Sequence, residues 1–496
     1  MENIMIGFSN VFQLSNLFIC IGGLMVGVLF GALPGFSATM AVAVFVPFTY
    51  VMEPGPALLL LSALYCGGVY GGSIPAVLVG IPGTPASAPT ALEGKAMVRR
   101  GKAGQALNLV TIGSCFGGFI SSVALLICAP LLAKIAKMVG QPEQMFVAIF
   151  GLSVVVMLSQ DNLFKGLMVA FVSLLLATFG QDPVEGFPRF TYGLSQLTGG
   201  FSVVPVLIGI FSLPEVFKML EDPFGKMSES GKVGSMKIGR GIIKKNWINA
   251  WRSTIMGVIV GIIPAAGPDI AAFLCYNEAK KASKTPEEFG NGSDEGIIAA
   301  ECGNNAVTGG SLIPLLTLGI PGSAPAAIFL GAMIIHGVRP GPTLFTQHAD
   351  TVYTMIIGFA LINLLMYIVG MIYCKCGSLI LVIPKSILAT VIVVLAVVGT
   401  FATNKNMFDV YVMLGAGIIG YIMLRNDFPV ALALLLGTNM EKSLSLTRTM
   451  YEGQFYMVFT RPLAAALAIF TVFSFVFPLV KIAKEKKKKK AEEGQV

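Results

Sequence analysis

Long apolar runs separated by short polar stretches fill almost the whole chain. They lie at about 11–33, 37–52, 56–80, 105–138, 143–159, 163–180 and 201–218. After a hydrophilic stretch a new apolar region starts near 253, and further runs follow at about 351–373, 378–400, 408–424, 428–437 and 461–480. Most approach or exceed the ~18 residues that cross a hydrocarbon core about 30 Å thick. Strands of a barrel would read instead as short alternating segments. The pattern predicts an all-α polytopic membrane protein of about 12 transmembrane segments.

Two of the runs carry the same interruption. Gly80-Ile81-Pro82-Gly83-Thr84 recurs as Gly319-Ile320-Pro321-Gly322-Ser323, each copy after another break: Gly71-Gly72-Ser73-Ile74-Pro75 and Gly309-Gly310-Ser311-Leu312-Ile313-Pro314. Pro75 to Pro82 and Pro314 to Pro321 are both seven residues. Gly257 and Gly261 before Pro264 repeat the spacing of Gly27 and Gly31 before Pro34, and Asn406-Met407-Phe408 weakly echoes Asn162-Leu163-Phe164. Pro and Gly are costly inside helices. Their recurrence predicts two homologous repeats, 1–217 and 253–480, with broken or re-entrant helices. Pro34-Gly35 joins two spans or tips a re-entrant hairpin; the sequence leaves both open.

Charge adds orientation. Only 12% of the 496 residues are charged, about half the fraction of a soluble chain. Of the net charge of +8, half sits in the tail from Lys481, with seven lysines against three glutamates. That placement suits a cytoplasmic tail (481–496) against a lipid bilayer and argues against nucleic acid. The stretch 218–252, with eight basic and three acidic residues, reads as a cytoplasmic linker, and Trp247 and Trp251 beside it suit the headgroup layer. Glu93 to Gly104, with Lys95, Arg99, Arg100 and Lys102, reads as a cytoplasmic loop, whereas its counterpart Gly331–Phe345 carries only Arg339. This asymmetry predicts that the repeats are inverted. The N-terminus shows no basic n-region and no clear cleavage site, so no removable signal peptide is expected.

A helix broken within a membrane exposes N–H groups at one new end and C=O groups at the other. Such ends persist only where they are buried in protein or line a cavity. N–H ends suit a carboxylate, and carbonyl ends suit Na⁺. The candidate substrate- and ion-binding residues are therefore Ser37, Thr39, Ser73, Gly83, Thr84 and Ser87 in the first half. In the second they are Asp269, Asn304, Asn305, Thr308, Ser311, Gly322 and Ser323. Hydrogen bonding between helices is the plainer use of such hydroxyls and amides, but it does not require their twofold recurrence. Asp269 and Glu301 are the candidate coupling carboxylates, because acidic groups in apolar context are rare; a helix cap for Asp269 and a loop position for Glu301 are the plainer alternatives. Glu93 is assigned to the loop. Eight cysteines without a CxxC pair and only two histidines, His336 and His348, give no metal centre and little for an enzyme. No P-loop is present.

Gly31-Ala-Leu-Pro-Gly-Phe-Ser-Ala-Thr39, Tyr70-Gly-Gly-Ser-Ile-Pro75 and Gly80-Ile-Pro-Gly-Thr-Pro-Ala-Ser87 resemble the large membrane subunit of tripartite tricarboxylate transporters, the TctA family. Pro264-Ala-Ala-Gly-Pro-Asp269 and Gly319-Ile-Pro-Gly-Ser323 match its second-half pattern, and the resemblance runs over roughly 10–480. It implies a secondary transporter of the bacterial inner membrane with no cofactor, coupled to Na⁺ or H⁺. It also implies two partners, a small TctB-like membrane subunit and a periplasmic TctC-like solute-binding protein that delivers a carboxylate such as citrate. Three rivals stand beside this expectation. An anion channel would line a polar path in the same way, a membrane-embedded enzyme would need clustered catalytic groups, and a scaffold subunit would use the glycines only for packing. The last predicts mild effects from side chains at Gly83 or Gly322, where a binding site predicts loss of uptake.

Overall fold

The computed structural model describes residues 2–33, 36–136, 140–157, 163–182, 186–221, 233–264, 266–341, 343–380, 385–426, 428, 433–451 and 454–473. The Pro34-Gly35 tip, residues 222–232 of the hydrophilic linker, Asn162 of the weak echo and the Lys-rich tail lie outside them. The described residues are helical apart from loops and one two-stranded antiparallel ribbon, β1 (Gly180–Gln181) with β2 (Pro188–Arg189). Among the described residues six helices are long and apolar enough to cross a membrane and five shorter ones are apolar, so the protein is an all-α, multi-pass membrane protein.

The first run of helices is α1 (Glu2–Val11), α2 (Leu14–Ala32), α3 (Ala38–Thr49), α4 (Pro54–Gly71), α5 (Ser73–Leu78), α6 (Ala88–Arg99), α7 (Ala103–Ala136), α8 (Gln141–Met157), α9 (Leu163–Ala177) and α10 (Val203–Glu221). The second is α11 (Arg240–Ile262), α12 (Gly267–Ala282), α13 (Asp294–Leu318), α14 (Ala324–Ile335), α15 (Leu344–Gln347), α16 (Ala349–Ile380), α17 (Lys385–Asn404), α18 (Met407–Arg425) and α19 (Ala433–Tyr451). From α2 and from α11 onward the same order is met: a long helix, a break, a short helix, a buried helix, the Gly-Ile-Pro-Gly break, another short helix and a helix of more than thirty residues. The contacts repeat as well. A Cβ on Gly27 would stand 2.7 Å from the Leu64 carbonyl oxygen, and one on the equivalent Gly257 2.3 Å from that of Gly303. These glycines let α2 lie against α4, and α11 against α13, at backbone distance.

Three details go beyond or against the sequence pattern. Helix α7 runs unbroken through Pro130, because membrane helices tolerate the one hydrogen bond that proline removes. Helix α4 breaks at Gly72, but its counterpart α13 runs unbroken through Gly309-Gly310 and Pro314, so the second of these paired breaks is not formed. The short apolar segment at 428–437 gives way to α19, which continues into polar residues up to Tyr451.

The chain forms two compact units. One comprises 135–203 and 423–496. In it α19 packs on α8 and α9, Arg461 meets the buried Glu143 at 2.5 Å, and Arg189 joins Asp182 at 3.2 Å to Glu441 at 2.5 Å. The other comprises 1–134 and 204–422 and contains both Gly-Ile-Pro-Gly breaks. At its centre α4 and α13 are buried on nearly every side. They run antiparallel: Tyr65 meets Ser311, whereas Ser73 meets Glu301. Helices α7 and α16 are antiparallel too, with Thr111 beside Cys374 and Ser122 beside Asn363.

Candidate functional site

Each Gly-Ile-Pro-Gly segment turns the chain back into the centre of this unit. Gly80 and Gly319 take φ of +72° and +71°, the left-handed region that a side chain disfavours. The chain then descends until the Gly83 N–H donates to the Gly72 carbonyl (3.0 Å) and the Gly322 N–H to that of Ser311 (3.4 Å). From that depth α6 and α14 start outward. Both have twelve residues, as does α3. At 1.5 Å per residue such a helix is about 18 Å long, little more than half a hydrocarbon core. Their N-termini are therefore internal.

The short helices come in parallel pairs. Ala38, at the start of α3, lies against Gly68, one turn along α4 from Tyr65, which holds Ser323 at the start of α14. At the far ends of that pair His336 Nε2 meets Thr49 Oγ1 at 3.0 Å. In the second pair Asp269, in the first turn of α12, lies beside the turn of Ala86 just ahead of α6, and further along Tyr276 donates to Glu93 at 2.7 Å. Four helix N-termini thus open inside one unit, each carrying unpaired N–H groups and positive dipole character.

Side chains close two networks around them. Glu301, fully buried on α13, accepts hydroxyl hydrogens at Oε1 from Ser73 (2.6 Å) and Thr90 (2.5 Å) and at Oε2 from Ser114 (2.7 Å). Ser73 continues to Ser87 at 3.0 Å and Ser87 to Thr84 at 3.2 Å. In the other network the Tyr65 hydroxyl sits between Ser311 (3.0 Å) and Ser323 (2.7 Å). Burying polar groups costs free energy unless they are paired, and here one carboxylate and the hydroxyls around it join four helices. Among the described residues no Lys or Arg forms an ion pair with Glu301. One turn on, Asn304 Nδ2 lies near that carboxylate without completing a hydrogen bond, and Asn305 Oδ1 has no partner. Buried polar atoms left open in this way call for an explanation such as a ligand or an ion.

The candidates divide accordingly. Ser73, Thr84, Ser87, Glu301, Ser311 and Ser323 fall in the networks, with Asn304 and Asn305 at their edge. Asp269 makes no cap for its own helix and is exposed. Ser37 caps α3 through the Met40 N–H, Thr39 is half-buried, and Thr308 spends its hydroxyl on the Asn305 carbonyl of its own helix. Tyr65, Thr90 and Ser114 were absent from the sequence-derived set. Glu93 is not a loop residue: fully buried in α6, it accepts from Tyr276 and from the Gly290, Gly292 and Ser293 N–H groups. His336 is the C-cap residue of α14.

Gly83 and Gly322 serve close packing. A Cβ on either would stand 2.2 Å from the Gly31 carbonyl oxygen or 2.1 Å from that of Gly261. Gly83→Ala and Gly322→Ala are each expected to lower stability by about 1–3 kcal/mol, the usual cost of overpacking. Thermal unfolding of the purified protein measures this, and unchanged melting would show that the backbone can move aside. Loss of uptake in these variants would therefore report packing, not contact with a substrate.

The arrangement defines a class first: a multi-pass helical membrane protein whose broken half-helices meet at a buried polar centre, the construction of a transporter. The family model for the tripartite tricarboxylate transporter TctA family matches residues 17–435, and the chain belongs to that family. Over 491 residues, 98% of both chains, it is 35% identical to an Agrobacterium vitis protein described as an uncharacterized 52.8 kDa protein in the TAR-I ttuC′ 3′ region. It is 36% identical over 214 residues, 42% of this chain and 88% of the relative, to a second protein of that organism, from the TAR-II ttuC′ 3′ region. No solved structure matches it. Membership makes it the large membrane subunit of a tricarboxylate transporter, a transporter family rather than an enzyme family. Among the described residues no three His, Cys, Asp or Glu side chains stand together to hold a metal.

Proposed function

We propose that this subunit imports tricarboxylates or related carboxylates across the bacterial inner membrane by ion-driven alternating access. Delivery falls to a periplasmic solute-binding protein of the TctC kind, with a TctB-like small membrane subunit as second partner. The observation that carries the proposal is the set of four internal helix N-termini, which offer a carboxylate N–H donors and dipoles without a fixed positive charge. Asp269 and the open amides of Asn304 and Asn305 stand beside them as polar contacts for substrate or ion.

Two inverted repeats supply the moving parts. This reading is supported by the antiparallel pairing of equivalent helices, α4 with α13 and α7 with α16, since parallel repeats would not run oppositely at equivalent positions. The coupling ion, Na⁺ or H⁺, acts at Glu301, where a carboxylate and three hydroxyls from three other helices meet. The basic end of α6 and the tail after the last span face the cytoplasm.

The test is uptake of labelled citrate into proteoliposomes holding this chain and the small subunit, with and without the solute-binding protein. An imposed Na⁺ gradient and a proton gradient are compared. Gradient-dependent uptake that needs the binding protein is the expected result, and the gradient that drives it names the ion. Flux that needs neither gradient nor receptor would identify a channel and overturn the proposal.

A further inference from the structure

Away from the polar centre, a cavity of about 590 Å³ opens at the end of the unit where α7 begins and α16 finishes. Its outer wall is the stretch 233–237, which has no helical or strand structure of its own. That stretch is nevertheless fastened down: Asn108 of α7 donates to the Met236 carbonyl at 2.6 Å. Gly104 allows it to lie close, since a Cβ there would stand 2.6 Å from the Ser235 carbonyl oxygen. The cavity is thus built by the linker against α7, and α16 forms its other wall.

The lining is amphipathic. Lys237 and Lys375 reach it from opposite walls, both exposed, and neither forms an ion pair among the described residues. No carboxylate lines it. Tyr367, Met371 and Lys375 recur every fourth residue along one stripe of α16, covering about 12 Å of its length. On the adjacent stripe Leu364, Ile368 and Ile372 are 52%, 59% and 54% exposed, as expected of a face against acyl chains. Two unpaired ammonium groups therefore stand at one end of a groove that turns apolar toward a lipid-facing surface. Basic pockets at the membrane boundary bind the headgroups of anionic lipids.

We propose that this cavity is a binding site for one anionic glycerophospholipid, its phosphate held between Lys237 and Lys375. The glycerol junction lies along Met371 and Tyr367, and the acyl chains follow the exposed stripe of α16. The lipid then ties the linker to both helices. Continuity with that stripe favours a lipid over a free phosphate.

The test uses the purified full chain in phosphatidylcholine nanodiscs, titrated with phosphatidylglycerol and read by native mass spectrometry of retained lipid. Lys237→Gln with Lys375→Gln is expected to weaken retention about 30-fold, two lysines at the roughly fivefold each that such a charge contributes near an anionic surface. Lys244→Gln, an exposed lysine outside the cavity, serves as control and is expected to change little. Inorganic phosphate is expected neither to displace the lipid nor to protect the protein against heat. Equal retention by wild type and double variant, or displacement by phosphate alone, would overturn the proposal. Lys237→Arg with Lys375→Arg keeps the charges and is expected to restore retention, which separates loss of the site from loss of fold.

Discussion

Glu301→Gln is expected to lower gradient-driven citrate uptake by about 10- to 100-fold, within the span of ordinary coupling free energies between two ligands. The substitution is isosteric. A carboxamide oxygen still accepts from Ser73 and Thr90, and its NH₂ group donates to the Ser114 oxygen, so each hydroxyl keeps a partner. Thermal stability should therefore remain near that of the wild type, and a normal melting profile beside lost uptake locates the defect in coupling. If the ion is H⁺, the amide imitates the protonated state, and exchange of substrate between two filled compartments should survive while accumulation fails. If it is Na⁺, exchange falls as well, because a neutral oxygen replaces the only charged ligand. Accumulation at more than half the wild-type level would assign Glu301 to structure alone.

That glutamate shows how far the sequence could be read. Its helix carries the Gly309-Gly310 pair and Pro314, whose spacing matches the first half although α13 runs unbroken through them, so its neighbourhood was visible from Gly and Pro alone. The duplicated breaks, the short half-helices and the membrane class were legible for the same reason: breakers are conspicuous in apolar runs. The partners were not. Ser73, Thr90 and Ser114 stand 228, 211 and 187 residues from Glu301 in sequence. Two of them are single hydroxyls without a local signal, one within a long apolar helix and one beside a charged segment. Tyr65 was hidden in the same way, because an aromatic residue in an apolar run reads as core until its hydroxyl is seen between Ser311 and Ser323. Antiparallel pairing of like helices is a tertiary fact, and only the uneven placement of Lys95, Arg99, Arg100 and Lys102 hinted at it.

Glu93 was misread for a physical reason, and it carries the largest stability effect expected here. Four basic residues follow it within nine positions, which gives the stretch the composition of a loop. Three of its ligands are backbone N–H groups, of Gly290, Gly292 and Ser293, and backbone leaves no mark in a sequence. Glu93→Ala removes the acceptor for all three and for the Tyr276 hydroxyl. Each donor left buried and unpaired costs about 1–3 kcal/mol. With partial rescue by water, the net loss is expected near 3–5 kcal/mol, the range for breaking one side of a buried charged contact. Glu93→Gln should cost less but still destabilise, since its NH₂ group must face N–H donors. Thermal unfolding reports the loss, and limited proteolysis near 286–293 locates it: cleavage there should precede cleavage elsewhere in the variant. Because Glu93 fastens α6 to α12, both with N-termini at the polar centre, Glu93→Ala should also impair uptake in proportion to its loss of fold. An unchanged melting temperature would mean that the α12–α13 loop is held by other contacts and that Glu93 is dispensable.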